Sequence, residues 1–466
     1  MTAKRMARLG RALAGVVMGA GFILAPIAHA QGQKQGSAGH PVLMISIDGL
    51  RPGDVLQAAQ RGMKLPNLRR FVQQGAYASG VTGVLPTLTY PSHTTLITGV
   101  APAAHGVVSN TTFDPTAINA DGWYWYSSDI RATTLWQAAH GAGLTTANVH
   151  WPVSVGAQGI DWNLPQIWRT GHADDAKLLA ALATPGLPAA LERDGDTYAQ
   201  GKDESIAGDA NRTRFAVRLI GRHKPGFVTV YLAGLDHVEH QSGPDTPEAH
   251  AALEQLDADV GALVEAEQAA HPDATIALVS DHGFAPVDTA FNLSRALIDA
   301  GLLQVGKGPT GAPVITGWEA AAWASGGSVA VVLARPDDAA LRAKVAALLN
   351  RLKADPANRI TRMLEQPAIT AQGGNPQAAF YIDLGPGMMA FPYLSPDLPL
   401  VGPTPYKGMH GYFPSAPEMN ATFMLMGPGV PKGRDLGQID MRVIAPTLAR
   451  IMGAQLPDAQ AAALAF

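Results

Sequence analysis

The sequence predicts an α/β fold with a mostly parallel central sheet flanked by helices, and with a small α+β insertion late in the chain. Uninterrupted apolar runs at 42–47, 227–232 and 275–279 have the length and composition of buried parallel strands. A segment with helical spacing of apolar residues separates the last two runs, which predicts a strand, helix, strand unit. With 466 residues, 47% of them hydrophobic, the chain can bury a large core.

The first thirty residues differ from the rest in composition. Basic residues lie before an apolar stretch at 12–27, and small residues follow it up to Ala30. This order predicts a signal peptide over 1–30, followed by a flexible mature N-terminus over 31–40. The alternative is a membrane anchor, which the short, glycine-rich stretch broken by Pro26 disfavours. We therefore expect a periplasmic or secreted protein with no membrane span in the mature chain.

Charge and cysteine content exclude several classes of protein. The chain has no cysteine, so it has neither disulfide bonds nor a cysteine-derived nucleophile. Its formal charge of −4 becomes −8 when the four basic residues of the expected leader are removed. An acidic chain without a long basic and aromatic surface is a poor binder of polyanions, so sequence-specific nucleic-acid binding is not expected. A small phosphorylated substrate held by metal ions is compatible with this charge.

Each of the three apolar runs ends in a polar cluster. The first delivers Asp48, the second leads to Asp236, and the third leads to Asp281 and His282. Ligand sites of open α/β sheets lie at the carboxyl ends of the strands. The sequence therefore predicts that these side chains meet at one edge of the sheet.

The later part of the chain shows helical and strand-like segments in turn. Residues 246–270 carry apolar residues at helical spacing after a threonine cap and a proline in the first turn, which predicts a helix. Strand-like runs at 328–333 and 378–383 flank a helical segment near 337–352. We interpret residues 305–406 as an α+β insertion that covers part of a cleft.

The expected core is therefore discontinuous. It comprises 41–304 and 407–466, and the chain returns to it with His410, a strand-like run at 421–426 and a last helix around 441–452.

Three aspartates and three histidines are candidate metal ligands: Asp48, Asp236, His240, Asp281, His282 and His410. Carboxylate oxygen and imidazole nitrogen are donors that zinc accepts. Each residue alone could cap a turn or lie at the surface, but their joint occurrence after strands or beside glycines favours a metal site. The spacing of Asp236 and His240 suits one ion, whereas the adjacent Asp281 and His282 must point differently, which favours two ions.

Residues 86–93 (PTLTYPSH) contain the candidate nucleophile, Thr89. A helix is expected to start near Pro91 and to stop at Gly99, so that Thr89 precedes a positive helix end. A threonine hydroxyl is a weak nucleophile unless a cation lowers the free energy of its alkoxide. The alternative is that Thr87 and Thr89 only cap the helix.

Several motifs follow one another in a characteristic order over nearly the whole expected mature chain: Asp48-Gly49, residues 86–93, Thr98-Gly99, His105-Gly106, Asn110, Asp236, His240, residues 280–283 (SDHG) and residues 410–412 (HGY). They resemble the nucleotide pyrophosphatase/phosphodiesterase family of the alkaline phosphatase superfamily. The resemblance implies an alkaline-phosphatase-like core and an exported phosphodiesterase or nucleotide pyrophosphatase that uses two zinc ions.

The resemblance also implies roles for the candidate residues. One zinc ion would be held by Asp236, His240 and His410. The other would be held by Asp48, Asp281, His282 and the hydroxyl of Thr89. Thr89 would attack phosphorus and form a covalent phosphothreonine.

Two further residues are implied in substrate binding. Asn110 would donate a hydrogen bond to a phosphoryl oxygen, with a turn asparagine as the alternative. Tyr90 would stack on a base, with a core tyrosine as the alternative. The aromatic residues 123–126 could form an apolar wall, although such runs more often serve packing.

Two other functions stay open. A phosphate monoesterase with the same metals and nucleophile would need cationic groups for the extra charge, for which Arg169 and Lys177 are candidates. A non-catalytic zinc-binding protein would be expected to lack some of these residues. The physiological substrate and the oligomeric state are not readable from the sequence.

Overall fold

The computed structural model describes residues 39–116, 122–167, 172–391, 393–395 and 397–465. The expected signal peptide, most of the expected flexible N-terminus and Arg169 lie outside the described residues. None of the helices in these ranges combines the length and the apolar character that crossing a membrane requires.

The strands of the described part are β1 (Val42–Ile47), β2 (Ala76–Tyr77), β3 (Gly80–Thr82), β4 (Thr146–Val149), β5 (Trp162–Leu164), β6 (Phe227–Leu232), β7 (Thr275–Val279), β8 (Ala285–Phe291), β9 (Leu303–Lys307), β10 (Pro313–Trp318), β11 (Ala320–Ala324), β12 (Ser328–Leu333), β13 (Ile360–Glu365), β14 (Ala378–Leu384), β15 (Gly387–Ala390), β16 (Val401–Pro403), β17 (Gly408–Met409), β18 (Phe423–Met426), β19 (Arg434–Asp435) and β20 (Gln438–Asp440).

The α-helices of the described part are α1 (Pro52–Leu56), α2 (Pro66–Gln74), α3 (Thr89–Thr98), α4 (Pro102–His105), α5 (Leu135–Gly141), α6 (Asp175–Leu182), α7 (Leu187–Leu191), α8 (Ile206–His223), α9 (Gly234–Ser242), α10 (Pro247–Ala270), α11 (Leu293–Asp299), α12 (Ala339–Ala354), α13 (Gln366–Ala371) and α14 (Ile444–Ile451).

The main sheet has the strand order β19-β2-β18-β7-β1-β6-β4-β5. Five of its seven pairings are parallel, which confirms the predicted mostly parallel sheet. At its centre, β1 lies between β7 and β6, and Val42 is in register with Phe227 and Thr275. Because these three strands run in the same direction, their carboxyl ends meet at one edge.

Helices cover both faces of the main sheet. Leu43, Ile45 and Ile47 of β1 point into one apolar cluster, together with side chains from α2, α8 and α10. Val42 and Met44 point into the other, together with side chains from α3, α5 and α14. Burial on both faces explains why β1 reads as an uninterrupted apolar run instead of alternating with polar residues.

A second sheet, with the order β11-β12-β14-β13, is entirely antiparallel. It contains both strands predicted at 328–333 and 378–383, and α12 corresponds to the helix predicted near 337–352. The bounds 305–406 of the insertion stay a prediction. Within that range β15 and β16 pair with β8, which also pairs with β17. This third sheet returns the chain to the edge where the main strands end.

Candidate active site

One group of candidate ligands lies at the carboxyl ends of β1 and β7. Asp48 follows β1, and Asp281 and His282 follow β7. His282 Nε2 is 3.4 Å from Asp48 Oδ1 and 3.1 Å from Asp281 Oδ2. All three side chains are buried. Asp281 Oδ1 also accepts a hydrogen bond from the Gly49 N–H at 3.2 Å, which fixes the turn after β1.

A second group forms between α9 and β17. In α9, Asp236 and His240 lie one turn apart, and His240 Nε2 is 3.4 Å from Asp236 Oδ2. Strand β17 delivers His410, whose Nε2 is 3.6 Å from Asp236 Oδ1. The His410 ring stacks on His282, with centroids 3.7 Å apart, so the two groups are adjacent. The structure therefore brings all six predicted ligands together.

Asp236 belongs to both groups. One ligand atom from each of Asp236, His240 and His410 lies within 4.8 Å of the others, and the same holds for Asp48, Asp236 and His282. The sequence assigned Asp236 to a single ion. The shared position follows from the start of α9 beside β6, directly next to β1 in the sheet.

Backbone carbonyls orient all three histidine rings. His240 Nδ1 lies 3.0 Å from the Gly408 carbonyl, and His410 Nδ1 lies 3.1 Å from that of Thr87. His282 Nδ1 lies 3.2 Å from the Gly283 carbonyl. A carbonyl can only accept, so the proton is assigned to Nδ1 and the lone pair to Nε2. Each Nε2 therefore faces the carboxylates as a ligand, in the arrangement typical of metal-binding histidines.

The electrostatics of the two groups fit divalent cations. Burial lowers the pKa of His240 to about 4 and that of His410 to about 3, so both rings are neutral ligands. Burial, followed by the charges of Asp281 and Asp236, raises the pKa of Asp48. Among the described residues, Asp48 Oδ1, Asp236 Oδ1 and Asp281 Oδ2 are buried without a hydrogen-bond partner. Crowded carboxylates with unused lone pairs are costly unless cations offset their charge.

Thr89 is the first residue of α3, although the sequence predicted a start near Pro91. Leu88 is extended at φ −119° and ψ 154° and serves as the N-cap. Pro91 stays inside the first turn, where its missing N–H costs no hydrogen bond. Thr89 Oγ1 lies 3.5 Å from His282 Nε2, so the predicted nucleophile is beside the first ligand group.

Three residues that the sequence analysis did not single out support this geometry. His93 contacts the Thr89 carbonyl with Nδ1 and Ser46 Oγ with Nε2, both at 2.8 Å, which ties α3 to β1. Tyr231 of β6 donates its hydroxyl hydrogen bond to Asp48 Oδ2. His93 was visible in the sequence within residues 86–93, whereas Tyr231 lies inside an apolar strand and has no local signal.

A cleft of about 640 Å³ opens over Thr89 and the second ligand group. Asn110 lines it and accepts a hydrogen bond from the Tyr90 N–H at 3.0 Å through Oδ1, which leaves its NH2 group as a donor. Tyr90 also lines the cleft but is only 1% exposed, and its hydroxyl donates to Gln166. The Trp123 ring lies 5.4 Å from the Tyr90 ring and is less buried. The more open face for stacking therefore belongs to Trp123.

No lysine or arginine lines this cleft among the residues that the structure describes. Lys177, a candidate clamp, is exposed on α6 and lies outside the lining. The acidic residue Glu204, which the sequence analysis did not single out, does line the cleft.

We expect Gly411→Ala to lower both metal affinity and stability. Gly411 has φ +84°, and a Cβ placed on it would lie 1.6 Å from the Ser325 carbonyl oxygen. The loop that carries His410 would have to move, which should lower metal affinity at least about tenfold and stability by about 2–4 kcal/mol. Gly437→Ala is the matched control, because Gly437 has φ +72° with no atom within 4 Å of a built Cβ. Chelator competition and urea unfolding measure both effects, and equal losses in the two variants would contradict the prediction.

Fold and site together define an α/β protein with a candidate metal centre at the carboxyl ends of its parallel strands. The sequence model of the family described as "Type I phosphodiesterase / nucleotide pyrophosphatase" matches residues 42–412. The chain therefore belongs to this family, as the motifs predicted.

Individual relatives agree with this assignment. Human ectonucleotide pyrophosphatase/phosphodiesterase family member 1 is 28% identical over 255 residues, covering 52% of this chain and 23% of the relative. An uncharacterized pyrophosphatase/phosphodiesterase of Schizosaccharomyces pombe is 26% identical over 275 residues, covering 54% of this chain and 48% of the relative. The chain thus spans between about a quarter and about half of the length of these curated relatives.

Solved structures share the fold. Murine ectonucleotide pyrophosphatase/phosphodiesterase 5 superimposes with a TM-score of 0.62 at 18% identity, covering 89% of this chain and 96% of that chain. An inactive threonine-to-alanine variant of that murine protein, in complex with AMP, superimposes with a TM-score of 0.63 at 18% identity. The match covers 90% of this chain and 96% of that chain. The expected alkaline-phosphatase-like fold is confirmed.

Proposed function

We propose that this protein is an exported two-zinc phosphodiesterase or nucleotide pyrophosphatase that works through a phosphothreonine at Thr89. The observation that carries the proposal is the convergence of five nitrogen and oxygen donor residues in two groups, with Asp281 beside His282, and of the Thr89 hydroxyl in a chain of this family. The mixture of neutral imidazoles and carboxylates favours zinc over the oxygen-only sites that magnesium prefers. One ion would be held by Asp236, His240 and His410, and the other by Asp48, Asp281, His282 and Thr89.

In this proposal the protein's own side chains position the reaction. When bound, the ions supply Lewis-acid stabilisation of the entering and leaving oxygens. Thr89 Oγ attacks phosphorus, its proton is lost to solvent, and the bond from phosphorus to the leaving-group oxygen breaks. Water then attacks the phosphothreonine from the side vacated by the leaving group and frees Thr89. The Asn110 NH2 group donates to a nonbridging phosphoryl oxygen, which gains negative charge during transfer.

The lining of the cleft favours diesters over monoesters. A monoester phosphoryl group carries a second negative charge that monoesterases balance with cationic side chains. The described lining contains no lysine or arginine to do so. A nucleotide as substrate is supported by the names of the relatives and by AMP in one related structure.

Export is part of the proposal. It rests on the leader-like composition of residues 1–30 and agrees with relatives named as ectoenzymes or as a venom phosphodiesterase of Crotalus durissus collilineatus. Detection of mature protein in a periplasmic or culture-medium fraction, with its new N-terminus sequenced, tests this step.

The function is tested by metal content and by paired initial rates. Purified protein beginning at Gln31 is expected to bind two zinc ions and to hydrolyse the p-nitrophenyl ester of thymidine 5′-monophosphate faster than p-nitrophenyl phosphate. Removal of zinc with a chelator should abolish turnover, and zinc should restore it. Faster monoester turnover would make the protein a phosphatase, and zinc binding without turnover of either substrate would make it a non-catalytic zinc protein.

A further inference from the structure

Glu204 is a charged residue of the cleft that lies outside the two ligand groups. It lines the same cleft as Thr89, and its Oε2 lies 3.5 Å from Nδ1 of His237, the neighbour of Asp236 in α9. Its side chain is 26% exposed, so its carboxylate is accessible from the cleft. His237 directly follows Asp236 in α9, so the Glu204 carboxylate lies beside the second ligand group.

A buried ion pair holds the backbone next to Glu204. The guanidinium of Arg212, which is fully buried, donates to the Asp203 carbonyl at 2.7 Å and to Asp209. Asp209 in turn accepts a hydrogen bond from the Gly234 N–H, at the start of α9, at 2.7 Å. The loop before Glu204 and the helix that carries Asp236 are therefore tied to the same pair. The backbone next to Glu204 therefore has a defined position relative to α9.

Glu204 lies on the side of the cleft that the leaving group would occupy. Thr89 lies beside His282, in the first ligand group. Displacement at phosphorus proceeds with the attacking and leaving oxygens in line, so the leaving group departs on the opposite side, towards the group of Asp236. Glu204 contacts His237, the residue after that aspartate, and the described lining offers no lysine or arginine to balance its charge.

We propose that Glu204 is a specificity-determining residue that selects phosphodiesters with an uncharged leaving group over nucleoside triphosphates. The inference rests on the proposed function and narrows its substrate class. Release of pyrophosphate from a triphosphate would bring several negative charges next to the Glu204 carboxylate. Like charges that meet in a partly buried cleft repel strongly. An alcohol or a nucleoside as leaving group meets no such penalty.

The test compares two substrates that transfer the same thymidylyl group. Thymidine 5′-triphosphate releases pyrophosphate, whereas the p-nitrophenyl ester of thymidine 5′-monophosphate releases a nitrophenolate. Glu204→Gln removes the charge at nearly constant size. We expect the ratio of kcat/KM for the triphosphate to that for the aryl ester to rise about 5–10-fold. The assay is run near pH 9, with zinc buffered against chelation by the triphosphate.

Two control variants make the outcome specific. Glu265→Gln makes the same change of net charge on an exposed position of α10 outside the cleft, and Glu204→Asp keeps the charge. Both should leave the ratio within about twofold of wild type. An unchanged ratio in Glu204→Gln, or an equal rise in Glu265→Gln, overturns the inference while the proposed function stands. If the wild type hydrolyses neither substrate, the proposed function fails and the inference fails with it.

Discussion

Thr89→Ala should abolish turnover of phosphodiesters while leaving the fold and the zinc content intact. The hydroxyl is the only part of the side chain that the proposed reaction uses, and its loss removes the covalent route altogether. We expect kcat on the p-nitrophenyl ester of thymidine 5′-monophosphate to fall at least about 10³-fold. Because Asp48, Asp281 and His282 remain, zinc measured by mass spectrometry should stay near two ions per chain.

Two further variants separate a nucleophile from a structural threonine. Thr89→Ser keeps a hydroxyl at the same position and should retain measurable turnover, with phosphoserine in place of phosphothreonine after an acid quench. Thr98→Ala removes a buried hydroxyl from the other end of α3, where Thr98 donates to the Thr94 carbonyl at 2.6 Å. It should lower stability by about 1 kcal/mol with little change in kcat. Full activity of Thr89→Ala would show that the mechanism is wrong.

Asp236→Asn should weaken both metal sites at once. The Asp236 carboxylate is a proposed ligand of one ion and lies within 4.8 Å of ligand atoms of Asp48 and His282, so loss of its charge removes a ligand from one ion and a neighbouring negative charge from the other. An amide keeps a similar shape but coordinates cations much more weakly. We expect zinc content to fall from two ions to fewer than one under the same dialysis, and kcat/KM to fall at least about 10³-fold.

A histidine variant provides the comparison. His240 belongs to the second group only, so His240→Ala should lose one zinc ion and keep the other. Isothermal titration of metal-free protein with zinc distinguishes these cases by stoichiometry. Retention of two tightly bound ions in Asp236→Asn would contradict the shared position of this carboxylate.

The sequence predicted part of the site because several candidate ligands follow the carboxyl ends of predicted strands. Asp48 directly follows the apolar run that became β1, Asp281 follows the run that became β7 after Ser280, and α10 matches the helix predicted at 246–270. A parallel sheet brings the carboxyl ends of its strands to one edge, regardless of the conformation of the connecting loops. For this reason the convergence of Asp48, Asp281 and His282 was predicted without knowledge of the strand order.

The relative positions that the sequence did not predict depend on pairing between distant segments. His410 reaches Asp236 because β17 pairs antiparallel with β8, and a two-residue strand carries no periodicity that would predict it. Asp236 is shared because β6 neighbours β1, which follows from strand order alone. Glu204 and Tyr231 belong to no motif, and their positions in the site follow from tertiary packing.

The six proposed ligands span the chain from Asp48 to His410. Binding of the proposed metal ions would therefore be coupled to folding. No short segment holds a complete group, so the unfolded chain has little affinity for zinc at these residues. Free zinc at about 100 times the dissociation constant then adds about 2.7 kcal/mol per site to the free energy of unfolding. With zinc bound as proposed, a protein without cysteine, and hence without disulfide bonds to limit its unfolded state, would depend on the zinc supply of its compartment for part of its stability.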